Sequence, residues 1–364
     1  MQLSDVTNFL EELAPLQLQE SYDNAGLLIG EPEMKISGVL VAVDLTEEVL
    51  KEALDKKCNL VITHHPLIFK GIKKITGRSA EERMIAEAIR KDVAIYAMHT
   101  NLDNVNTGVN KILSEKIGLE HVKILLPKEE LLFKLVTFCP RPDAEKVRIA
   151  LFNAGAGHIG NYDSCSFNVE GTGSFRGSDD TNPYVGEKGK LNYEPEVRIE
   201  VIYPGYYGSK ILKALLDTHP YEEVAYDIYP LANKLHSAGA GMIGVLPEET
   251  TEEAFLAKVK QITGISCIRH SGFIGRKVRK VALCGGAGSF LITKALSEKA
   301  DIFMTGDLKY HDFFLAEKKI LIADIGHYES EQFVKELIYR ELIKKFSNFA
   351  VLISEASTNS VNYF

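Results

Sequence analysis

The chain has 364 residues, which at ~150 residues per domain favours two or three domains, each able to form its own hydrophobic core. Hydrophobic residues make up 45% and charged residues 25%, and no apolar run approaches the ~18 residues of a membrane helix, so the composition argues against disorder and membrane insertion. The 42 basic and 50 acidic residues give a net charge of −8, which is the wrong sign for a protein that binds nucleic acid through its phosphates.

The start of the chain and the cysteines both bear on the cellular compartment. Residues 1–16 contain no basic stretch followed by an apolar core, so they are not typical of a signal peptide. The five cysteines are widely spaced and form no CxxC pair, which argues against a disulfide framework and against a structural zinc knuckle. We therefore expect a cytoplasmic protein with reduced cysteines.

The first hundred residues alternate between strand and helix patterns. Thr46 is expected to cap one of these helices, because acidic residues and then apolar residues at helical spacing follow it. This alternation predicts a parallel sheet. In chain order, the predicted elements are a helix at 6–13, a strand at 38–43, a helix at 45–54, a strand at 60–63, a helix at 80–91 and a strand at 93–98.

The middle of the chain follows a different order, β-α-β-β-α-β, which is that of a ferredoxin-like unit. A loop rich in Gly, Asp and Asn, residues 176–191, joins its two central strands. The predicted elements are a strand at 132–138, a helix at 143–154, strands at 163–175 and 196–203, a helix at 209–218 and a strand at 222–229.

The strand and helix alternation then returns, which predicts a discontinuous α/β core interrupted by an inserted α+β domain. The expected divisions are a first core part at 1–127, the inserted ferredoxin-like domain at 128–234 and a second core part at 235–364. The last predicted elements are a strand at 278–283, a helix at 290–298, strands at 300–304 and 320–324, and a helix at 330–344.

Histidines and carboxylates follow the carboxyl ends of three predicted core strands. His64 and His65 follow the strand at 60–63, Asp103 lies shortly after the strand at 93–98, and His327 and Glu331 follow the strand at 320–324. Ligands of open α/β sheets bind at this edge, where loops from separate strands meet. We therefore expect these side chains to lie close together.

The local sequence refines this expectation. Neighbouring residues of a strand point to opposite faces, so His64 and His65 share a site only if the strand ends before them, as Pro66 indicates. Ser330 is predicted as the N-cap of the last helix, which would place Glu331 in its first turn.

A lone histidine in such a loop is most simply an ordinary polar residue. Histidines and carboxylates together at one edge, however, supply the mixed nitrogen and oxygen ligands that suit zinc, iron or manganese. Two splayed imidazoles suit two neighbouring ions better than one. We therefore predict a metal site there.

Other polar residues near these strand ends are weaker candidates for a role in a reaction. The candidates for catalysis are His99, Asp307 and His311, and Asn101 and Asp324 are further candidates for contacts with substrate or with metal ligands. The glycine-rich residues 285–289 could cradle an anion with their backbone amides. Since they lack the Walker lysine and the dinucleotide spacing, a tight turn is the preferred interpretation.

Four motifs carry a resemblance to a known family. Asp-Asn-Ala-Gly-Leu at 23–27, Thr-His-His-Pro at 63–66, His-Thr-Asn-Leu-Asp at 99–103 and Gly-His-Tyr-Glu-Ser-Glu at 326–331 together resemble the Nif-three-like family. The middle segments at 155–162 and 219–223 are similar to those of its longer subgroup, whose insert resembles PII and CutA domains.

The resemblance implies a centre of two divalent metal ions, with zinc favoured over iron or manganese. Carried over residue by residue, it implies His64, His65, Asp103, His327 and Glu331 as ligands. It also implies a homohexamer and, from the cyclohydrolase label that bacterial members carry, a nucleotide or related heterocycle as substrate.

Two classes of function remain open at this point. The first is a metal-dependent hydrolase, in which a water activated by the metal ions attacks an electrophilic carbon or phosphorus, with Asp103 as the expected bridging ligand. The second is a regulatory or metal-handling protein whose insert senses a ligand, since fold likeness does not decide function. Nucleic acid binding is disfavoured by the net charge.

Overall fold

The computed structural model describes residues 1–364, and the chain folds into two compact units. Unit 1 combines residues 1–126 with residues 237–364, and unit 2 comprises residues 127–236. No helix is both long enough and apolar enough to cross a membrane.

Fifteen strands form three sheets, and all but the four of one sheet belong to unit 1. In chain order, β1 to β15 are Gly26–Ile29, Val39–Ala42, Leu60–Thr63, Ala94–Ala97, Glu120–Lys128, Leu132–Pro140, Phe167–Phe175, Asn192–Pro204, Tyr226–Leu231, Leu235–Thr251, Arg269–His270, Lys277–Ala287, Ile302–Gly306, Leu321–Asp324 and Val351–Ile353.

Eleven α-helices and four short 3-10 helices connect the strands. In chain order, α1 to α11 are Leu3–Leu13, Glu47–Asp55, Ala80–Arg90, Thr100–Asp103, Val109–Ile117, Ala144–Asn153, Gly208–Thr218, Glu252–Thr263, Ile292–Ser297, His327–Glu331 and Val334–Lys345. The 3-10 helices are Leu16–Leu18, Gly205–Tyr207, Ser289–Leu291 and Tyr310–Ala316.

The first sheet of unit 1 has the order β1-β4-β3-β2-β15, with only β1 antiparallel to its neighbour. Every residue of β2, β3 and β4 is buried, which explains their apolar and β-branched composition. The predicted strand at 60–63 coincides with β3. The predicted cap of α2 is also observed, since the Thr46 hydroxyl accepts a hydrogen bond from the Val49 amide at 3.3 Å.

The second sheet of unit 1 has the order β11-β14-β13-β12-β10-β5, and β12, β13 and β14 run parallel. The carboxyl ends of β13 and β14 therefore lie side by side, with Thr305 paired to Asp324. The strands β1, β5, β10, β11 and β15 and the helices α4, α5 and α8 were not predicted from the sequence.

Unit 2 contains β6-α6-β7-β8-α7-β9 in this order, and its sheet is antiparallel with the order β7-β8-β6-β9. Its own apolar cluster joins the helices to one face of the sheet, through residues such as Leu135, Val147, Ile199 and Leu215. The predicted strand at 163–175 is shorter in the structure, because it begins only at Phe167.

The beginning of the last helix differs from the prediction. The expected N-cap, Ser330, lies inside α10, which begins at His327 with Gly326 as its N-cap. The Ser330 hydroxyl instead donates to the His327 carbonyl at 2.7 Å and accepts from the Gly286 amide at 3.0 Å. A buried tertiary partner therefore outweighs the local capping preference of serine.

Candidate metal centre

His64 and His65 leave the sheet at the carboxyl end of β3. The strand ends at Thr63, and the amides of His64 and His65 both donate to the carbonyl of Val43, each at 3.0 Å. This shared acceptor ends the strand alternation. The two imidazole rings lie 4.9 Å apart between centroids, so both reach the same side of the sheet edge.

Glu331 lies between these histidines and His327. Its Oε2 is 3.1 Å from Nε2 of His65 and 3.1 Å from Nε2 of His327, and its Oε1 is 3.6 Å from Nε2 of His64. Asp103 Oδ1 lies 3.7 Å from the same His64 nitrogen. The structure thus brings all five predicted ligands together. Their binding of metal stays a prediction.

Several polar atoms of this cluster are buried without a hydrogen-bond partner. They are His64 Nε2, Asp103 Oδ1 and Glu331 Oε2, the last despite its ionic contacts with two imidazoles. An unsatisfied buried polar group costs about 1–3 kcal/mol, so native proteins seldom leave several at one place. The donor atoms of His64, His65 and Glu331 lie within 4.8 Å of one another, and this cluster could hold a metal ion.

The other ring nitrogen of each histidine has a fixed partner. Nδ1 of His64 bonds the Met98 carbonyl, Nδ1 of His65 bonds Asp44 and Nδ1 of His327 bonds Asp307, each at 2.7 Å. Such contacts fix the tautomer and the ring orientation. The Nε2 atoms of all three rings consequently face Glu331, where they could bind a metal ion together with its carboxylate.

Burial and charge shift the pKa values of the cluster in opposite directions. Burial would lower the pKa of His65 and of His327. Neighbouring carboxylates outweigh this effect and raise the pKa of His65 to about 10 and that of His327 to about 9. Burial raises the pKa of Asp103 to about 7. Burial would also raise the pKa of Glu331, but the three imidazoles hold it well below its usual value. The metal-free cluster therefore carries protons that a cation would displace.

Two glycines allow the ligand-bearing helix to approach the sheet. A Cβ on Gly306 would lie 2.8 Å from the backbone of His327, and a Cβ on Gly286 would lie 2.2 Å from Oε1 of Glu331. Gly286 also has φ +60°, a left-handed conformation that glycine adopts freely. Larger residues at either position would displace α10.

The glycine-rich residues 285–289 do not form the expected tight turn, because residues 285–287 are the irregular end of β12 and Ser289 begins a 3-10 helix. The Gly285 amide donates to Asn110 Oδ1 at 2.8 Å and the Gly288 amide donates to Thr305 Oγ1 at 2.8 Å. With the Gly286 amide bound to Ser330, these amides have no capacity left for an anion.

His99 lies beside the cluster and is paired with Asp23, which opens the motif at 23–27 but was given no role in the sequence analysis. Its Nδ1 bonds Asp23 at 2.6 Å, and its ring centroid lies 5.4 Å from those of His64 and His65. The Asp23 side chain is fully buried. Burial would raise its pKa, but hydrogen bonds from His99 and Thr100 lower it to about 2.

The remaining predicted residues are more dispersed. Asp307 contacts the cluster only through His327, and Asp324 is occupied by Arg269 and by the amides of Leu308 and Gly326. His311 is exposed in the 3-10 helix Tyr310–Ala316 and makes ring contacts with two aromatic neighbours, not with the metal ligands. Asn101 is buried and donates to the Ala14 carbonyl.

Sequence reasoning missed Asp44 as well as Asp23. Asp44 follows β2 at the same sheet edge that carries His64 and His65, so the argument from strand ends could have found it. Asp23 precedes β1, which was not predicted, so no strand-end signal pointed to it. Its place in the motif at 23–27 was the one signal that could have drawn attention to it.

A model of the family Duf34/NIF3 (NGG1p interacting factor 3) matches residues 1–360. The chain belongs to this family.

Its relatives share both length and fold. It is 39% identical over 363 residues to the GTP cyclohydrolase 1 type 2 homolog of Halalkalibacterium halodurans, covering 98% of each chain. It is 38% identical to that of Bacillus subtilis, covering 98% of this chain and 97% of the relative. The crystal structure of a Bacillus cereus protein related to NIF3 has a TM-score of 0.87 and 39% identity, and covers 100% of this chain and 99% of its own.

Proposed function

We propose that this protein is a hydrolase with two divalent metal ions, held by His64, His65, Asp103, His327 and Glu331, that acts on a nucleotide or a related heterocycle. The observation that carries this proposal is the set of buried, unpartnered donor atoms, His64 Nε2, Asp103 Oδ1 and Glu331 Oε2. A cation would satisfy them together, and no single hydrogen-bond donor would.

The arrangement of the donors favours two ions over one. Glu331 directs Oε1 toward His64 and Oε2 toward His65 and His327. Its carboxylate can therefore serve both sides of the cluster, a role that the sequence assigned to Asp103. Imidazole and carboxylate ligands suit zinc best and also accept iron or manganese.

Bound ions of this kind polarise substrate oxygens and lower the pKa of coordinated water to about 7. Five protein ligands leave coordination positions for water and substrate. The residues of the chain supply the other requirements: Asp44 and Asp307 hold the rings of His65 and His327 in place, and burial of His64 and Glu331 excludes bulk water.

The surroundings of His99 support its role as a proton donor to a leaving group. Its Nδ1 is committed to Asp23, so Nε2 is the nitrogen that can exchange a proton with a substrate. The Phe69 ring lies 6.1 Å from His99 and the Tyr22 ring 6.4 Å from Phe69, both substantially exposed. Such rings beside the centre suit a planar heterocycle.

The relatives' printed name, GTP cyclohydrolase 1 type 2 homolog, supports GTP as the first substrate to test. The reaction would be hydrolytic opening of the guanine imidazole ring with release of formate. We further propose a cytoplasmic homohexamer, which rests on the family resemblance and, for the compartment, on five free cysteines.

A second candidate function is that of a regulatory or metal-handling protein whose insert binds a ligand. We propose residues 128–234 as an inserted ferredoxin-like domain, supported by its element order and antiparallel sheet. The specific observation is a cavity of about 610 Å³ within unit 2, lined by residues that include Phe175, Tyr184, Glu196 and Tyr221. This volume is in the range of small-molecule sites.

The deciding experiment measures formate release from GTP by protein loaded with Zn²⁺, Mn²⁺ or Fe²⁺, beside a chelated sample. Asp103→Ala should lose metal and activity together, whereas Asp55→Ala, which removes an exposed carboxylate at the end of α2, should change neither. Full activity of Asp103→Ala would overturn the ligand assignment. No formate from fully loaded protein would reject GTP ring opening and favour either another hydrolysis or the regulatory function.

A further inference from the structure

The carboxyl-terminal residues 354–359, called here the C-terminal strap, leave β15 and are anchored at once. The Ser354 hydroxyl donates to Glu52 at 2.5 Å, and the Glu355 amide donates to the same carboxylate at 3.0 Å. Ala356 then packs against the apolar cluster beneath the first sheet. The strap therefore continues on a defined path after the last strand has ended.

The next residue with a side-chain contact, Thr358, reaches one part of the metal cluster through Asp44. Its hydroxyl donates to Asp44 Oδ2 at 2.7 Å, while Asp44 Oδ1 accepts from His65 Nδ1 at 2.7 Å. Both carboxylate oxygens are thus occupied, which prevents the carboxylate from rotating. Thr358 in this way fixes the group that orients a predicted metal ligand.

Asn359 reaches the other part of the cluster through Glu329. Its side-chain amide donates to Glu329 Oε1 at 3.0 Å, and Glu329 is only 7% exposed. Glu329 belongs to α10, the five-residue helix that carries His327 and Glu331. Consecutive strap residues therefore hold groups from chain segments that lie almost 300 residues apart.

We propose that the C-terminal strap positions the metal-binding side chains of both segments, Thr358 through Asp44 and His65, and Asn359 through Glu329 and α10. Thr358 and Asn359 are positioning residues, because neither touches the metal ligands directly. The inference rests on the metal centre of the proposed function, but not on the reaction. By reciprocity, metal binding should also order the strap.

Thr358 gives the sharpest test, because valine has its shape and lacks its hydroxyl. Thr358→Val should weaken Zn²⁺ affinity about tenfold, the lower end of the effect of removing an orienting partner, and should alter the visible spectrum of the Co²⁺-loaded protein. Thr358→Ser keeps the donor and should stay within about twofold of the original. Competition with a chromophoric chelator measures the affinity, and urea unfolding checks that both variants fold.

Asn359→Leu, with the exposed Asn362→Leu as matched control, tests the second contact in the same assay. Hydrogen exchange with and without Zn²⁺ should show slower exchange of residues 354–359 in the loaded protein. The proposal would be overturned if Thr358→Val and Asn359→Leu left the Zn²⁺ affinity and the Co²⁺ spectrum unchanged. It would also be overturned if Thr358→Ser and Thr358→Val lost Zn²⁺ affinity equally.

The outcomes separate this inference from the proposed function. If the original protein binds Zn²⁺ but hydrolyses nothing, only the proposed activity fails, and the affinities still test the strap. If it binds neither Zn²⁺ nor Co²⁺, the metal centre and the positioning role are both refuted.

Discussion

The two units treat polar groups on their sheets in different ways. In unit 1, the cluster at the carboxyl ends of β3 and β14 is partly buried, and three of its polar atoms are buried without a hydrogen-bond partner. In unit 2, carboxylates of the sheet have partners within the chain, since Glu200 pairs with Lys134 at 2.7 Å and Glu196 accepts a hydrogen bond from Tyr221 at 2.7 Å. Unit 1 thus has a cluster of polar groups that a cation could satisfy, whereas these groups of unit 2 have partners within the chain.

The variant expected to have the largest effect on this difference between the units is Glu331→Gln. Glu331 opposes the charges of His65 and His327 in the buried cluster, and removing one partner of a buried ion pair costs about 3–5 kcal/mol. We expect the variant to lose both metal affinity and stability, measured by metal content after dialysis and by urea unfolding. Glu336→Gln, on an exposed carboxylate of α11, serves as control, and retained metal in Glu331→Gln would contradict the comparison.

Metal removal should affect hydrogen exchange in unit 1 and not in unit 2, and this test needs no mutation. A ligand that binds only the folded state stabilises it by about 2.7 kcal/mol at 100 times its Kd, so chelation should speed hydrogen exchange in β3 and β14 of unit 1. The amides of β6 and β8 in unit 2 should exchange at unchanged rates. Equal acceleration in both units would show that the metal dependence is not confined to unit 1.

A smaller effect is expected from Tyr221→Phe in unit 2. It removes the hydrogen bond to Glu196 and keeps the ring, so we expect a loss of about 1 kcal/mol in the stability of unit 2. Zn²⁺ affinity should not change, because the residue belongs to the other unit. A fall in Zn²⁺ affinity, measured by chelator competition, would show that metal binding does not depend on unit 1 alone.

The smallest effect is a pH dependence in unit 1. Burial would raise the pKa of Glu52, but hydrogen bonds from Lys56, Ser354 and the Glu355 amide lower it from 4.5 to about 2. Its ionised form therefore stabilises the folded state above pH 4.5, and this contribution is lost as the pH falls toward 2. Glu52→Gln should flatten the fall of unfolding free energy across this window, and an unchanged slope would contradict the assignment.

The success of the sequence analysis at β3 and its failure at α10 have one physical explanation. The end of β3 is set by local features, the apolar run at 60–63 and the proline at 66, so the positions of His64 and His65 followed from the sequence. The start of α10 depends on a hydrogen bond between Ser330 and Gly286, 44 residues apart. A local capping rule does not contain that partner.

By itself, the sequence determined the three buried strands β2, β3 and β4 of the first sheet, the interruption of the core by a middle piece with another element order, and the histidines and carboxylates at the strand ends. These depend on periodicity and on residue types within short windows, which are local properties. Only the tertiary structure decided the partners that orient these side chains. Asp23 meets His99 across 76 residues, and Thr358 meets Asp44 across 314. Such contacts form when the sheets bring distant segments together, and short windows of sequence carry no record of them.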